Sequence, residues 1–257
     1  MIPAAKSPLF EAWFGRHVRQ RIRGHFSGLY LAGGEHVLHA ATGPQLWVGN
    51  HSAWWDPLVA YHLSREHFAL DGHAMMDARN LRRLPFFARI GAFGVDLDDP
   101  ADGARSLRYA ARLLDGPRRM VLVFPQGKER TSTIRPLGFR PGSGELARLA
   151  PKAQVIPFGL RYEQAAEEKP RVYVRFGPPV PVSAVKAERA PELIRGQQEQ
   201  AVVGLLDRID ADLCAGVEDA FTPLFIDRPS EDSLATAALG WLVGPRGVTD
   251  RQADKKG

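Results

Sequence analysis

The chain carries a single cysteine, Cys214, among its 257 residues. That excludes an intramolecular disulfide and any zinc site built on thiolates, and it points to a reducing compartment, the cytoplasm. No apolar run reaches the roughly eighteen residues of a membrane-crossing helix. The first residues lack the apolar core and cleavage site of a signal peptide, so the chain is not expected to span or leave through a bilayer. Neither a Gly-x-Gly-x-x-Gly fingerprint nor a phosphate loop occurs, which argues against nucleotide-dependent chemistry. Ser143, in Gly142-Ser143-Gly144, lacks the Gly-x-Ser-x-Gly elbow of serine hydrolases. His36, His39, His67 and His73 lack the i, i+4 spacing around a glutamate that marks a zinc protease, and no metal is expected. Repeats and low-complexity stretches are missing too, and the length suits one domain with a substantial core.

What is present begins with a formal charge of +5. This suits an anionic partner: a membrane surface, a nucleotide-bearing cofactor or nucleic acid. Nothing in the chain reads as a nucleic-acid recognition motif, so nucleic acid is not expected. Leu9 to Phe26 reads as an amphipathic helix, with Phe10, Trp13, Phe14, Val18 and Ile22 in one broad arc and Arg16, Arg19 and Arg23 on the other side; Arg21 falls inside the apolar arc. Aromatic residues opposite arginines describe a helix lying on an anionic membrane surface; a core-packed helix with a solvated basic face has the same pattern.

Asn50-His51-Ser52-Ala53-Trp54-Trp55-Asp56 places an imidazole five residues ahead of a carboxylate. Gln45 to Val48 is an apolar run suited to a buried strand, ended by Gly49-Asn50, and Asp56-Pro57 starts a helix with Asp56 as its N-cap. Across such a turn Asp56 can accept from the imidazole Nδ1–H and leave Nε2 free to take a proton. The plainer alternative is a capping Asp56 and a polar loop His51. Trp54 and Trp55 could line a pocket or simply pack.

Further along, His73 to Met76 and Phe93 to Leu97 are strand candidates flanking a basic segment, Arg79 to Pro85. Asp102 to Leu114 is a helix with Leu107, Ala110, Ala111 and Leu114 on one face. Met120 to Phe124 is an unbroken apolar run, as in a strand buried on both sides. Gln154 to Tyr162, interrupted by Pro157, and Arg171 to Phe176 are further strands. Beyond Pro191 a long helix carries Leu193, Ala201, Leu205, Leu206, Ile209 and Leu213 at helical spacing. The pattern predicts an α/β fold, a mixed, largely parallel sheet covered by helices. Its expected parts are an N-terminal amphipathic helix (1–30), a core (31–185), a helical C-terminal part of the same domain (186–249) and a disordered tail (250–257). Within the C-terminal part, Leu234 to Val243 reads as a second interfacial helix or as core.

In this order the pieces resemble the glycerolipid acyltransferase family, over about residues 40–180. His51 with Asp56 matches an His-x4-Asp block. Ile90-Gly91-Ala92-Phe93-Gly94-Val95-Asp96 resembles a second block. Phe124-Pro125-Gln126-Gly127, followed by Arg130-Thr131-Ser132, resembles a third, usually Phe-Pro-Glu-Gly-Thr-Arg-Ser. Val155-Ile156-Pro157-Phe158 looks like a fourth, and Phe176-Gly177-Pro178-Pro179-Val180 is similar to the family as well. The resemblance implies His51 and Asp56 as the catalytic pair, and Asn50, Gln126, Gly127, Lys128, Arg130 and Pro157 at the substrate. It implies acyl-CoA or acyl carrier protein as co-substrate with no tightly bound cofactor, a lipid acceptor, and a peripheral place on the inner face of the cell membrane. Trp13, Arg16, Arg19 and Arg23 would meet that surface.

Two departures bear on the acceptor. Gln126 stands where the family has glutamate, and Lys128-Glu129 adds a residue before Arg130. Where the family's second block carries a phosphate-gripping arginine, this chain reads Val95-Asp96-Leu97-Asp98-Asp99, and carboxylates repel a phosphate by about 1 kcal/mol or more at close range. Acceptors consistent with these residues are a lysophospholipid, held through Lys128, Arg130, Arg135 and Arg140, or a neutral hydroxyl on a glycolipid or glycosylated carotenoid. Those cations could instead hold the phosphates of coenzyme A. The altered third block also suits a lipid- or acyl-binding interaction protein with weakened catalysis.

Overall fold

A computed structural model describes residues 1–40, 42–164, 167–182 and 190–226. The expected tail and the segment Leu234 to Val243 lie outside these residues. Eight strands form one sheet: β1 (Gly28–Ala32), β2 (Gln45–Gly49), β3 (Asp71–Asp77), β4 (Ala92–Val95), β5 (Arg119–Val123), β6 (Gln154–Glu163), β7 (Arg171–Phe176) and β8 (Thr222–Ile226). Their order is β4-β3-β5-β2-β6-β7-β1-β8. The first five run parallel, β6 and β7 are antiparallel, β7 and β1 parallel, and β1 and β8 antiparallel. The fold is thus α/β with a mixed, largely parallel sheet. Among the described residues of the C-terminal part, β8 follows the long helix and adds an edge strand to the sheet.

Central strands β2 and β5 explain their unbroken apolar runs by facing two cores. Trp47, Met120 and Leu122 point to a layer formed by α1 (Pro8–His25), α2 (Gly34–His39), α3 (Asp56–His62) and a π-helical turn, Leu63–His67. Leu46, Val48, Val121 and Val123 point to the opposite layer, built by α5 (Pro100–Leu113), α6 (Gly142–Leu149) and α7 (Ala190–Cys214). A short helix α4 (Ala78–Arg83) follows β3 and covers the basic segment.

Three sequence expectations change in the folded chain. The apolar arc of α1 divides: Phe14, Val18 and Ile22 are buried, whereas Trp13 is 56% and Leu9 87% exposed. Arg16, Arg19, Arg21 and Arg23 all lie on the outside, so the helix is core-packed along one stripe and leaves an aromatic residue among arginines on its surface. Pro157 does not interrupt β6. Its carbonyl accepts from Gly177 N (2.9 Å), so its missing N–H faces the β7 side, just before the antiparallel ladder opens at Phe158 and Phe176. In α7 the inward stripe is Ile194, Gln198, Val202, Leu206 and Ile209, which leaves Leu193 exposed. Two buried polar residues of this helix tie down α6 and the loop before it: Glu199 accepts from Gly138 N at 2.7 Å, and Gln198 Nε2 donates to Ser143 O, in the first turn of α6, at 3.3 Å.

Candidate active site

Where β2 ends, the side chain of Asn50 continues its pairing with β6. Asn50 Oδ1 accepts from Leu160 N at 2.8 Å and Nδ2 donates to Leu160 O at 3.0 Å, so the amide acts as one more rung after the last backbone pair, Gly49 and Phe158. The chain then leaves the sheet at His51. His51 N donates to Gln126 Oε1 (2.6 Å) on the neighbouring β5 side, and His51 O accepts from Arg130 N (2.8 Å). Gly127 permits the intervening turn, since its φ of +72° is a conformation that side-chain-bearing residues seldom adopt.

The imidazole stacks on Phe124, with ring centroids 4.6 Å apart, and its Nδ1 lies 2.8 Å from Asp56 Oδ2. Asp56 has no solvent exposure. Its Oδ2 also accepts from Ser52 N (2.6 Å) and Ala53 N (2.8 Å), and its Oδ1 accepts from the Tyr162 hydroxyl (2.6 Å). The capping expectation is therefore corrected. The carboxylate turns back over the loop that precedes α3 instead of forward onto the amides of the helix. With every donor aimed at it Asp56 is an acceptor, which assigns the proton of the neutral imidazole to Nδ1 and leaves the Nε2 lone pair free. Burial, with Asp56 beside it, holds the Tyr162 hydroxyl well above the usual phenol range, so it stays a neutral donor.

Nε2 opens onto a cavity of about 710 Å³ on the α1–α3 face, at the carboxyl ends of the parallel strands. Trp54, Leu84, Arg83, Lys128, Glu129 and Arg140 line its mouth, while Leu58, Tyr61, Ala74, Leu122 and Ile90 line its depth. Gly72, Met120 and Ser64 stand at the far end, where a β-carbon on Gly72 would lie 3.2 Å from both Met120 Cε and Ser64 Oγ. From Met120 in β5 to Phe124 just past its end is a rise of four residues, about 13 Å, a depth for roughly ten methylene groups.

Of the residues expected at a substrate, Gly127 and Lys128 line this cavity. Asn50 is 1% and Gln126 3% exposed. Asn50's amide is spent on Leu160, and Gln126 Oε1 on His51's backbone, so both hold the loop in place. The Arg130 guanidinium packs toward Gly138, and Pro157 is buried within β6; neither lines the cavity. The acidic segment is also less exposed as charge than its sequence implied. Arg79 pairs with Asp77 (2.9 Å) and with Asp98 (3.4 Å), and Arg105 lies 3.5 Å from Asp99. Three features escaped the sequence reading: Tyr162, Phe124 as the stacking partner of His51, and Glu129, whose Oε1 lies 3.6 Å from His51 Nε2. No local pattern signals them, because each acts across strands. Among the described residues no group of three or more His, Cys, Asp and Glu is placed to hold a metal, and no helix is long and apolar enough to cross a membrane.

Replacing Asn50 by Ala leaves the buried N–H and C=O of Leu160 without partners. The expected loss is about 2–5 kcal/mol in denaturant unfolding, and a loss below about 1 kcal/mol would contradict the rung.

Comparison with known proteins agrees with this geometry. The fold is similar to that of the crystal structure of the 1-acyl-sn-glycerophosphate acyltransferase PlsC from Thermotoga maritima, with a TM-score of 0.55 and 17% identity over 77% of this chain and 79% of that one. Among curated proteins none matches the chain in sequence. The Acyltransferase family model matches residues 31–161, a span that includes the His51 loop, the Phe124–Arg130 turn and most of β6. By that match over half of its length, the chain belongs to the acyltransferase family.

Proposed function

We propose that the protein moves a fatty acyl group from a thioester, acyl-CoA or acyl carrier protein, to a hydroxyl of a lipid acceptor, with His51 as general base. One observation carries this reading: an imidazole with Nδ1 fixed by a buried carboxylate and Nε2 open to an apolar cavity long enough for an acyl chain. The acceptor hydroxyl attacks the thioester carbonyl as its proton passes to Nε2. Asp56 stabilises the imidazolium so formed. The tetrahedral intermediate then collapses, breaking the C–S bond, and the thiolate recovers the proton from Nε2, so no covalent enzyme intermediate is needed. A positioned base of this kind supplies about 10²–10⁴ in rate; the rest comes from holding acyl chain and hydroxyl together.

Arg83, Lys128 and Arg140 have no carboxylate partner among the described residues, and all three stand at the mouth. They suit the phosphates of a coenzyme A or carrier-protein arm that stays outside while the acyl chain enters. No tightly bound cofactor is required. Exposed Trp13 and Leu9 on α1, with Arg16 on the next turn, exposed Arg23 further along the same helix and Trp54 at the cavity mouth, suit a peripheral place on an anionic membrane, from which a lipid acceptor reaches Nε2. With the chain's reducing-compartment composition, that membrane is the inner face of the cell membrane.

Incubation with acyl-CoA, or with acyl carrier protein loaded with an acyl chain, and a total lipid extract tests the reading through thiol release and lipid mass. His51→Ala should lower both at least about a hundredfold. Equal traces for wild type and variant across both donors would leave a lipid-binding protein in place of an enzyme.

Tyr162→Phe keeps the ring and removes one donor from Asp56. We expect kcat to fall about ten- to hundredfold with little change in KM, and an unchanged kcat would remove Tyr162 from the positioning of the pair. Gly72→Leu fills the end of the cavity. Competition among donors of graded chain length should then show the preferred acyl chain shortened by several carbons; an unaltered profile would place the acyl chain elsewhere.

A further inference from the structure

We propose that Glu129 selects the acceptor by accepting a hydrogen bond from a second hydroxyl beside the one that reacts, so that the acceptor is a lipid bearing a vicinal diol. The inference rests on the acyl-transfer reading above and names the acceptor class for the same site.

The position of Glu129 is set by the base itself. Gln126 and Arg130 are both tied to the main chain of His51, one through its N–H and the other through its C=O. Only Gly127, Lys128 and Glu129 lie between these anchors, and Glu129 adjoins the second. Its carboxylate therefore stays near Nε2, at 3.6 Å, although the side chain is 57% exposed. Any hydroxyl that delivers its proton to Nε2 arrives beside this carboxylate.

Charge decides what else the acceptor can carry there. The other carboxylates of the cavity lining, Asp77 and Asp98, are each paired with Arg79. Glu129 has no arginine or lysine at ion-pair distance among the described residues, and the neutral imidazole beside it offers Nε2 without a proton to donate. A carboxylate in this state accepts hydrogen bonds. A hydroxyl on the carbon next to the reacting one can donate to it, and the two contacts together fix the acceptor's orientation. A phosphate on that neighbouring carbon would instead face a like charge at close range. The residue thus favours a sugar or glycerol headgroup over a lysophosphatidate, and the acceptor preference rests on this single side chain more than on the acidic Asp96–Asp99 segment, where Asp98 and Asp99 each have an arginine beside them.

The test compares wild type, Glu129→Gln and Glu129→Ala in mixed micelles, with an acyl-CoA and with acyl-loaded carrier protein as donors. The acceptors are monoglucosyl diacylglycerol, 1-monoacylglycerol, lysophosphatidic acid and a long-chain alcohol, with His51→Ala as the reference for enzymatic product. Wild type should use at least one of the two diol acceptors about tenfold or more better than lysophosphatidic acid, and which one tells sugar from glycerol. Measured relative to the lone alcohol within each variant, Glu129→Ala should lower use of the diol about tenfold and raise use of lysophosphatidic acid, whereas Glu129→Gln should raise lysophosphatidic acid and keep part of the diol preference. A wild-type preference for lysophosphatidic acid would mean that Lys128 and Arg140 outweigh Glu129, and would overturn the proposal. So would variants that scale every acceptor by one factor. Transfer that depends on His51 but ignores Glu129 defeats this inference alone, while no His51-dependent product with any acceptor defeats the acyl-transfer reading and this one with it.

Discussion

The carboxylate of Asp56 has been taken wholly out of water, and the geometry of the site follows from what that requires. An ionised group in such a place costs several kcal/mol unless its oxygens are fully supplied with donors. Here the supply comes from an imidazole, two backbone amides of the loop and a tyrosine hydroxyl. The amides belong to Ser52 and Ala53, so the loop must curl over the carboxylate. The hydroxyl belongs to β6, so the loop must also lie against that strand. His51 supplies the remaining donor, and its orientation is a by-product of satisfying a buried charge.

The same economy governs the main chain around the base. On one side the amide of Asn50 extends the β2–β6 ladder; on the other Gln126 and Arg130 bracket His51 from the β5 side. A histidine that leaves the sheet at this point has little freedom, and Phe124 closes one face of its ring. Rigidity on this side contrasts with openness on the other, where the small residues Gly72 and Ala74 of β3 leave space beneath the mouth. Preorganised chemistry beside an apolar void is what an acyl transfer at a lipid surface demands.

Much of this was legible in the residues. Periodicity and turn chemistry gave strands β2 to β7, the long helix after Pro191 and the pairing of His51 with Asp56, because each is a local pattern or a five-residue separation; β1, directly after α1, was not read as a strand. What stayed hidden is what depends on partners far away in the chain. Asn50 and Gln126 read as ligand-contacting groups, since an amide in a loop shows no sign of being consumed by Leu160 or by a neighbouring backbone. Tyr162 read as the end of a strand. Trp13 read as part of a continuous apolar arc, yet the curvature of the packing under α1 admits Phe14, Val18 and Ile22 and leaves Trp13 outside. Pro157 read as a break because sequence does not tell which side of a strand its missing N–H faces.

The rung between Asn50 and Leu160 joins residues 110 positions apart, and it bears on how the molecule comes into being. Contacts of such separation form late, after the loop-closure entropy of the intervening chain has been met. During synthesis from the N-terminus, β2 and the His51 loop emerge well before β6 exists to receive them, and Tyr162 arrives with that same strand. A nascent chain therefore holds its imidazole and its aspartate without the strand that sets them. The centre gains its geometry only when β6 lies against β2, so a chain that ends before β6 has His51 and Asp56 without the site.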